Sequence, residues 1–289
     1  MDKFNISSWP KFEQDEVNKA VEILKSGKVN YWTGEEGKIF EREFAEKIGT
    51  KYAVALANGS LALSSAYLSV GLGVGDEIIT SPRTFIATAS SAILLGAKPI
   101  FADVDPDSGV ITADTIIPLI TNNTKAISVV HLGGWPAEMD SICKLAHNYG
   151  LKVIEDCAQA HGASLNGKSV GSFGDVSAWS FCQEKILSTG GEGGMITTSN
   201  KEIWNKIWSF KDHGKNYNKI FDKNKSDSFQ FVHDKLGSNF RMTEIQSAIG
   251  RIQLSKINET NKIRNRNANI IYEELYTKNN TIEYSKILD

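Results

Sequence analysis

Val153-Ile154-Glu155-Asp156-Cys157-Ala158-Gln159 runs an apolar strand into an acidic residue. Ser180-Phe181-Cys182-Gln183-Glu184-Lys185-Ile186-Leu187-Ser188-Thr189-Gly190-Gly191-Glu192-Gly193-Gly194 then places a lysine between a second apolar strand and a glycine-rich turn. Strand C-termini in open α/β sheets face the ligand crevice, so Asp156 stands where a site forms. Lys185 follows the strand Val176 to Phe181, and the glycines beyond it let backbone approach a ligand closely.

The surrounding pattern is α/β. Helix-spaced apolar residues (Ile39, Phe40, Phe44, Ile48) precede a short buried strand at Tyr52 to Leu56, and Leu61 to Leu72 reads as a helix. Further strands read at Glu77 to Thr80, Pro99 to Ala102, Ala126 to Val130, Lys152 to Glu155, Val176 to Phe181 and Gly194 to Thr198, separated by helix-length segments. This alternation predicts a three-layer fold around a mostly parallel sheet. Beyond it lie a helix with Ile203, Trp204, Ile207 and Trp208, and a polar stretch from Lys211 to Lys235 that reads as a mobile surface loop. Thr243 and Gln246 form a capping box opening a helix expected to bury Ile245, Ala248, Ile249 and Ile252 and to run to about Tyr276. Ile282 to Asp289 starts a strand-like segment.

The chain has 289 residues, 41% of them hydrophobic, and a formal charge of -2. It can bury a substantial core, and it lacks the charge that would draw it to nucleic acid or an anionic membrane. No apolar run is long enough to span a bilayer, and Met1 to Asn5 lacks a signal-type apolar region, so a cytoplasmic protein is expected. Cys143, Cys157 and Cys182 have neither zinc-site spacing nor a CxxC pair, and read as free thiols.

A lysine that can form an imine, with a carboxylate for a pyridinium nitrogen, is what pyridoxal phosphate requires of a protein. Asn58-Gly59-Ser60 stands between strand and helix, where free backbone amides and a hydroxyl suit a phosphate, although the same triplet is also a routine cap. Ser180 adds a hydroxyl. Phe85 could stack on an aromatic cofactor, with core packing as its default explanation. Gln159 and His161 follow Asp156 on the same excursion; His161 alone reads as a hydrogen-bonded structural residue. Gly162 to Ser169 matches the phosphate-loop string G-x-x-x-x-G-K-S, but Val170 to Asp175 cannot open the helix such a loop needs. Asn166-Gly167 is instead a hairpin turn signal.

Further runs extend the pattern: Thr33-Gly34 with Phe40-Glu41, Ala57 to Ser60, Pro82 to Thr88, His131 to Gly134, Glu155 to Gly162, Ser180 to Gly194 and Gly237 to Thr243. Together they resemble the DegT/DnrJ/EryC1/StrS family of sugar aminotransferases, within the fold type I, aspartate-aminotransferase superfamily. The resemblance implies pyridoxal 5'-phosphate as cofactor, with pyridoxamine 5'-phosphate as the intermediate form. It makes Lys185 the imine lysine and proton shuttle, and Asp156 the partner of the pyridinium nitrogen. Gln159 would lie near the phenolic oxygen, Phe85 would stack on the ring, and Gly59, Ser60 and Ser180 would hold the phosphate. Asn239 would reach the phosphate of a neighbouring subunit, implying a homodimer with shared sites. The implied reaction moves an amino group from glutamate to a keto group on a nucleotide-linked deoxysugar, for surface polysaccharide or glycosylated natural products. Relatives that dehydrate the sugar carry histidine at the imine position, so Lys185 favours transamination. An alternative is a regulatory or catalytically impaired homologue that binds the cofactor without turnover. The expected division is a cofactor-binding large domain over 1–240, including an N-terminal helical segment (1–50), and over 241–289 a helical connection and the start of a truncated C-terminal small domain. Family members continue into a small C-terminal domain at about the point where this sequence stops.

Overall fold

A computed structural model describes residues 9–221 and 232–278, the side chains of 276–278 excepted. The strand-like reading of 282–289 falls outside the described residues. Two helices open the described chain, α1 (Gln14–Ser26) and α2 (Glu36–Ile48). Then come β1 (Tyr52–Leu56), α3 (Gly59–Ser69), β2 (Glu77–Thr80), α4 (Ala87–Leu94), β3 (Lys98–Phe101) and α5 (Ala113–Ile116). β4 (Thr124–Val130), α6 (Met139–Tyr149) and β5 (Lys152–Asp156) precede a small hairpin of β6 (Ser164–Leu165) and β7 (Lys168–Ser169). β8 (Val176–Ser180), β9 (Gly194–Thr198), α7 (Lys201–Phe210), α8 (Tyr217–Ile220) and α9 (Glu244–Lys278) complete the order.

The seven-stranded sheet has the order β1-β9-β8-β5-β4-β2-β3, and only β9 runs against its neighbours. β5, β8 and β9 are buried along nearly their whole length because helices cover both faces, and their polar members Glu155, Asp156, Ser177, Ser180, Thr197 and Thr198 are buried with them. On one face Val54, Leu56, Ile78, Ile154, Ala178 and Ile196 pack against α3, α4 and α7. On the other, Ala55, Trp179 and Phe181 meet Phe40 and Phe44 of α2 and Leu254 and Ile257 of α9. Farther along that face Ile127, Val129 and Val153 pack against Ile142 and Leu145 of α6. Because side chains alternate across a strand, Asp156 and Ser180 share the α3/α4 face, whereas Glu155, Trp179 and Phe181 look the opposite way.

The residues 166–167 hairpin forms as expected. Asn166 and Gly167 both take positive φ (52° and 75°), the pairing of a two-residue turn that matches strand twist. Lys168 then lies 4.1 Å over the Phe173 ring instead of opening a helix. The Thr243–Gln246 capping box is present, with Gln246 N donating to Thr243 Oγ1 at 3.3 Å and Thr243 N to Gln246 Oε1 at 3.0 Å.

Two expectations need correction. The stretch from Lys211 is not surface loop at its start: Lys211 and Asp212 are completely buried, and Tyr217–Ile220 is helical. Residues 222–231 of that stretch lie outside the described residues. Along α9, Ala248 and Ile249 are buried as expected, but Ile245 and Ile252 are only half-buried. Glu244 is fully buried instead, its carboxylate accepting the Glu36 and Gly37 amides (2.6 and 3.1 Å) at the start of α2. An acidic side chain capping a helix N-terminus is favourable, which is why a charge occupies this interior position. No helix among the described residues is long and apolar enough to cross a membrane.

Candidate active site

The C-terminal ends of β1, β8, β5 and β4 lie along one edge of the sheet, and there the site residues gather. Asp156 closes β5 and is 5% exposed. Its Oδ2 accepts from Thr88 Oγ1 at 2.7 Å and its Oδ1 from the Ala158 amide at 3.2 Å. Burial pushes its carboxyl up, and the Thr88 hydroxyl, the Ala158 amide and the charge of Lys185 only partly counter this. No cationic side chain among the described residues lies within ion-pair distance of it. A buried acid with two neutral donors and no counter-ion is suited to a positively charged ligand.

Lys185 is half-buried in the β8–β9 connection, and its ammonium has no carboxylate partner among the described residues. The connection folds back on itself. The Phe181 amide donates to Gly193 O (2.8 Å), Gln183 N to Gly191 O (2.9 Å) and Thr189 Oγ1 to Glu192 O (2.6 Å). The charge of Lys185 favours the ionised form of Asp156 and disfavours protonation of His161.

Asn58 caps α3, its side chain accepting from Leu61 N at 2.9 Å. The amides of Gly59 and Ser60 have no protein acceptor among the described residues, so the helix start presents free donors. A Cβ on Gly59 would lie 2.6 Å from Ser180 Cβ and 3.2 Å from Ser180 Cα, so only glycine lets α3 start against the end of β8. Ser180 is 8% exposed and abuts this cradle.

Gln159 Oε1 accepts from the Gly133 amide at 2.9 Å, tying the loop after β5 to the loop after β4. Phe85 is 66% exposed before α4, so its default core explanation does not hold. Asn239 is exposed on a short stretch that pairs with Asp212 and runs beside the end of β1. His161 differs from expectation. It is buried, neither ring nitrogen has a hydrogen-bond partner, and the ring packs against Trp179 and Phe181 at 5.5 and 5.7 Å. Burial, with the Lys185 charge, pushes its imidazole down to about 3, so it serves as a neutral aromatic on the face opposite Asp156.

Two groups escaped sequence reasoning. Thr88, though inside a quoted run, had no assigned role; its signal was a hydroxyl four residues after Thr84, whose Oγ1 lies 2.8 Å from its own. Behind Asp156, Glu155 accepts from the amides of Gly171 (2.7 Å), Phe173 (2.8 Å) and Gly174 (2.7 Å) and from His131 Nε2 (3.0 Å). The Ala137 amide donates to His131 Nδ1 at 3.2 Å, so the proton sits on Nε2. This network holds the turn before β8 and the ends of β4 and β5 together.

Chain order, sheet order and the covering helices are those of the large domain of fold type I aminotransferases, enzymes dependent on pyridoxal phosphate. An aminotransferase from Psychrobacter cryohalolentis superposes with a TM-score of 0.86 at 50% identity, over 88% of this chain and 64% of that one. The DegT/DnrJ/EryC1/StrS aminotransferase family model matches residues 10–286, and the chain belongs to this family. Among curated relatives, GDP-perosamine synthase of Escherichia coli O157:H7 is 38% identical over 86% of this chain and 66% of its own. A UDP-N-acetyl-3-dehydro-alpha-D-glucosamine 3-aminotransferase of Acidithiobacillus ferrooxidans is 41% identical over 84% and 62%. The chain thus spans somewhat less than two thirds of the length of these relatives.

Proposed function

We propose that this chain carries the cofactor-binding part of a nucleotide-sugar aminotransferase that takes its amino group from glutamate. The observation that carries the reading is Asp156: a buried carboxylate with no counter-ion among the described residues, near Lys185, whose ammonium has no carboxylate partner among them. The residues fit pyridoxal 5'-phosphate. Asp156 would face the ring nitrogen, oriented by Thr88. The Gly59 and Ser60 amides, with the hydroxyls of Ser60 and Ser180, would hold the phosphate. Phe85 would cover the ring and Gln159 would lie beside its phenolic oxygen.

Bound there, the cofactor supplies an electron sink for the carbon that gains or loses the amine. Lys185 would tether it and then carry the proton to and from that carbon. Asp156 would offer its carboxylate to a protonated ring nitrogen in a dry environment, where that attraction is strongest and would itself favour the ionised acid. The names of the relatives support a keto group on a nucleotide-linked sugar as acceptor, with surface polysaccharide or glycosylated natural products as the destination.

The reading includes a homodimer in which Asn239 serves the neighbouring site. Ile86, Ile93 and Leu94, exposed at the two ends of α4, are the kind of apolar surface that a second copy covers. We assign 1–240 to the cofactor-binding domain and 241–289 to a helical connection into a smaller domain. Cys143, Cys157 and Cys182 are free, in keeping with a cytoplasmic enzyme.

The test adds glutamate to cofactor-loaded protein and follows the visible absorbance band, then supplies 3-keto and 4-keto sugar nucleotides and weighs the products by mass spectrometry. The band should bleach with glutamate and return with the accepted keto sugar, whose mass should show one carbonyl replaced by an amine. A band unchanged by glutamate would refute the assignment.

A further inference from the structure

Lys211 and Asp212, at the C-terminal end of α7, are each 0% exposed, and each is charged. Lys211 Nζ donates to Glu41 Oε1 at 2.6 Å and lies 4.0 Å from the centroid of the Tyr31 ring. Glu41 also accepts from the Tyr31 hydroxyl (3.1 Å) and from Ala55 N in β1 (2.9 Å). Asp212 Oδ1 meets Arg241 Nη1 at 2.7 Å and Lys215 Nζ at 2.9 Å, and its Oδ2 accepts from Trp32 Nε1 at 2.6 Å. Lys215 in turn covers the Trp32 ring at 4.3 Å.

The backbone follows the same lines. Phe240 N donates to Lys211 O (2.9 Å), Ala57 N donates to Phe240 O (2.9 Å), and Asp212 pairs with Asn239. Three separated segments therefore meet on one pair of buried charges: the loop with Tyr31 and Trp32, the junction of β1 with α3, and the stretch bearing Asn239 and Arg241. The second borders Gly59 and the third contains Asn239, residues assigned above to a cofactor phosphate. Burying ions carries a desolvation cost, and apolar packing is often at least as stable. What a fully paired set adds is one defined arrangement, because any other leaves a charge without its partner.

We propose that Lys211 and Asp212 are positioning residues that hold the start of α3 in register for the phosphate of this chain's cofactor and Asn239 in register for that of the neighbouring subunit. The inference rests on the assignment of Gly59 and Ser60 to this chain's phosphate and of Asn239 to the neighbouring subunit's. They touch no ligand themselves and act through the segments they join.

The experiment measures the affinity of the full chain for pyridoxal phosphate and for pyridoxal, which lacks the phosphate, by spectroscopic titration. Asp212→Asn keeps the shape of the side chain and removes its charge; Trp32→Phe removes one donor to it. Asp212→Asn should weaken pyridoxal phosphate about tenfold, or about 1.4 kcal/mol, with pyridoxal changed less than about twofold. Trp32→Phe should shift the same ratio by a smaller factor, about threefold, and decides the matter if Asp212→Asn does not fold. Parallel loss of both ligands would mean a structural role only, and an unchanged ratio would mean none at the site; either overturns the proposal. Wild-type protein that binds neither ligand would overturn the underlying assignment as well.

Discussion

Replacing Glu155 with glutamine tests the network that stands behind Asp156. The carboxylate accepts three backbone amides, Gly171, Phe173 and Gly174, at 2.7 to 2.8 Å, and His131 Nε2 at 3.0 Å. A glutamine keeps one oxygen and turns an NH2 toward two of these donors. If the oxygen serves Phe173 and Gly174, the NH2 faces the Gly171 amide. His131 cannot rescue the other contact, because accepting at Nε2 would move its proton to Nδ1, against the Ala137 amide. Two hydrogen bonds to a charged acceptor, about 1.5–3 kcal/mol each, are thus lost, giving a destabilisation of about 3–6 kcal/mol. That is a large part of the roughly 5–15 kcal/mol by which domains are stable.

Urea denaturation at neutral pH measures it. Burial alone would raise the Glu155 carboxyl, but the bonds from His131, Gly174 and Gly171 outweigh burial and hold it below the ordinary carboxylate range. A depressed folded value means the contribution is complete above the unfolded value near ~4.3 and is lost as pH falls through the folded one. The gap between wild type and Glu155→Gln should therefore close on acidification. A loss under about 1 kcal/mol at neutral pH, or a gap that widens in acid, would refute the reasoning.

Thr88→Val removes the hydroxyl that donates to Asp156 and should lower apoprotein stability at neutral pH by about 1.5–3 kcal/mol in the same denaturation assay. Because the Asp156 carboxyl is raised by burial, stability already falls as pH rises through its titration, so this loss should shrink in acid. Gly59→Ala places a Cβ 2.6 Å from that of Ser180 and should weaken pyridoxal phosphate at least about tenfold in spectroscopic titration of a folded protein. Lys168→Ala should leave cofactor binding unchanged, and calorimetry should detect no ATP binding to either form, since Lys168 sits in a hairpin over Phe173.

Short strand-like segments bounded by turn signals made β5, β8 and β9 legible in the sequence, and local turn chemistry did the same for the Asn166-Gly167 hairpin. Asp156, Lys185, Gly59 and Ser180 were legible as positions because strand ends define an edge. The partners that condition them were not. Thr88 meets Asp156, 68 positions further on, only because the fold brings the start of α4 to the end of β5. Lys211 reads as solvated until Glu41, 170 residues away, supplies its counter-charge. His161 misled for the same reason: its aromatic neighbours come from β8, and an isolated histidine carries no sign of whether it will bond or stack.

The most direct test of the central claim is to load the protein with pyridoxal phosphate, reduce it with borohydride, digest it and map the label by mass spectrometry. The account predicts a single phosphopyridoxyl group on the peptide containing Lys185, lost in Lys185→Ala. A label on another lysine, or no label at all, would contradict it.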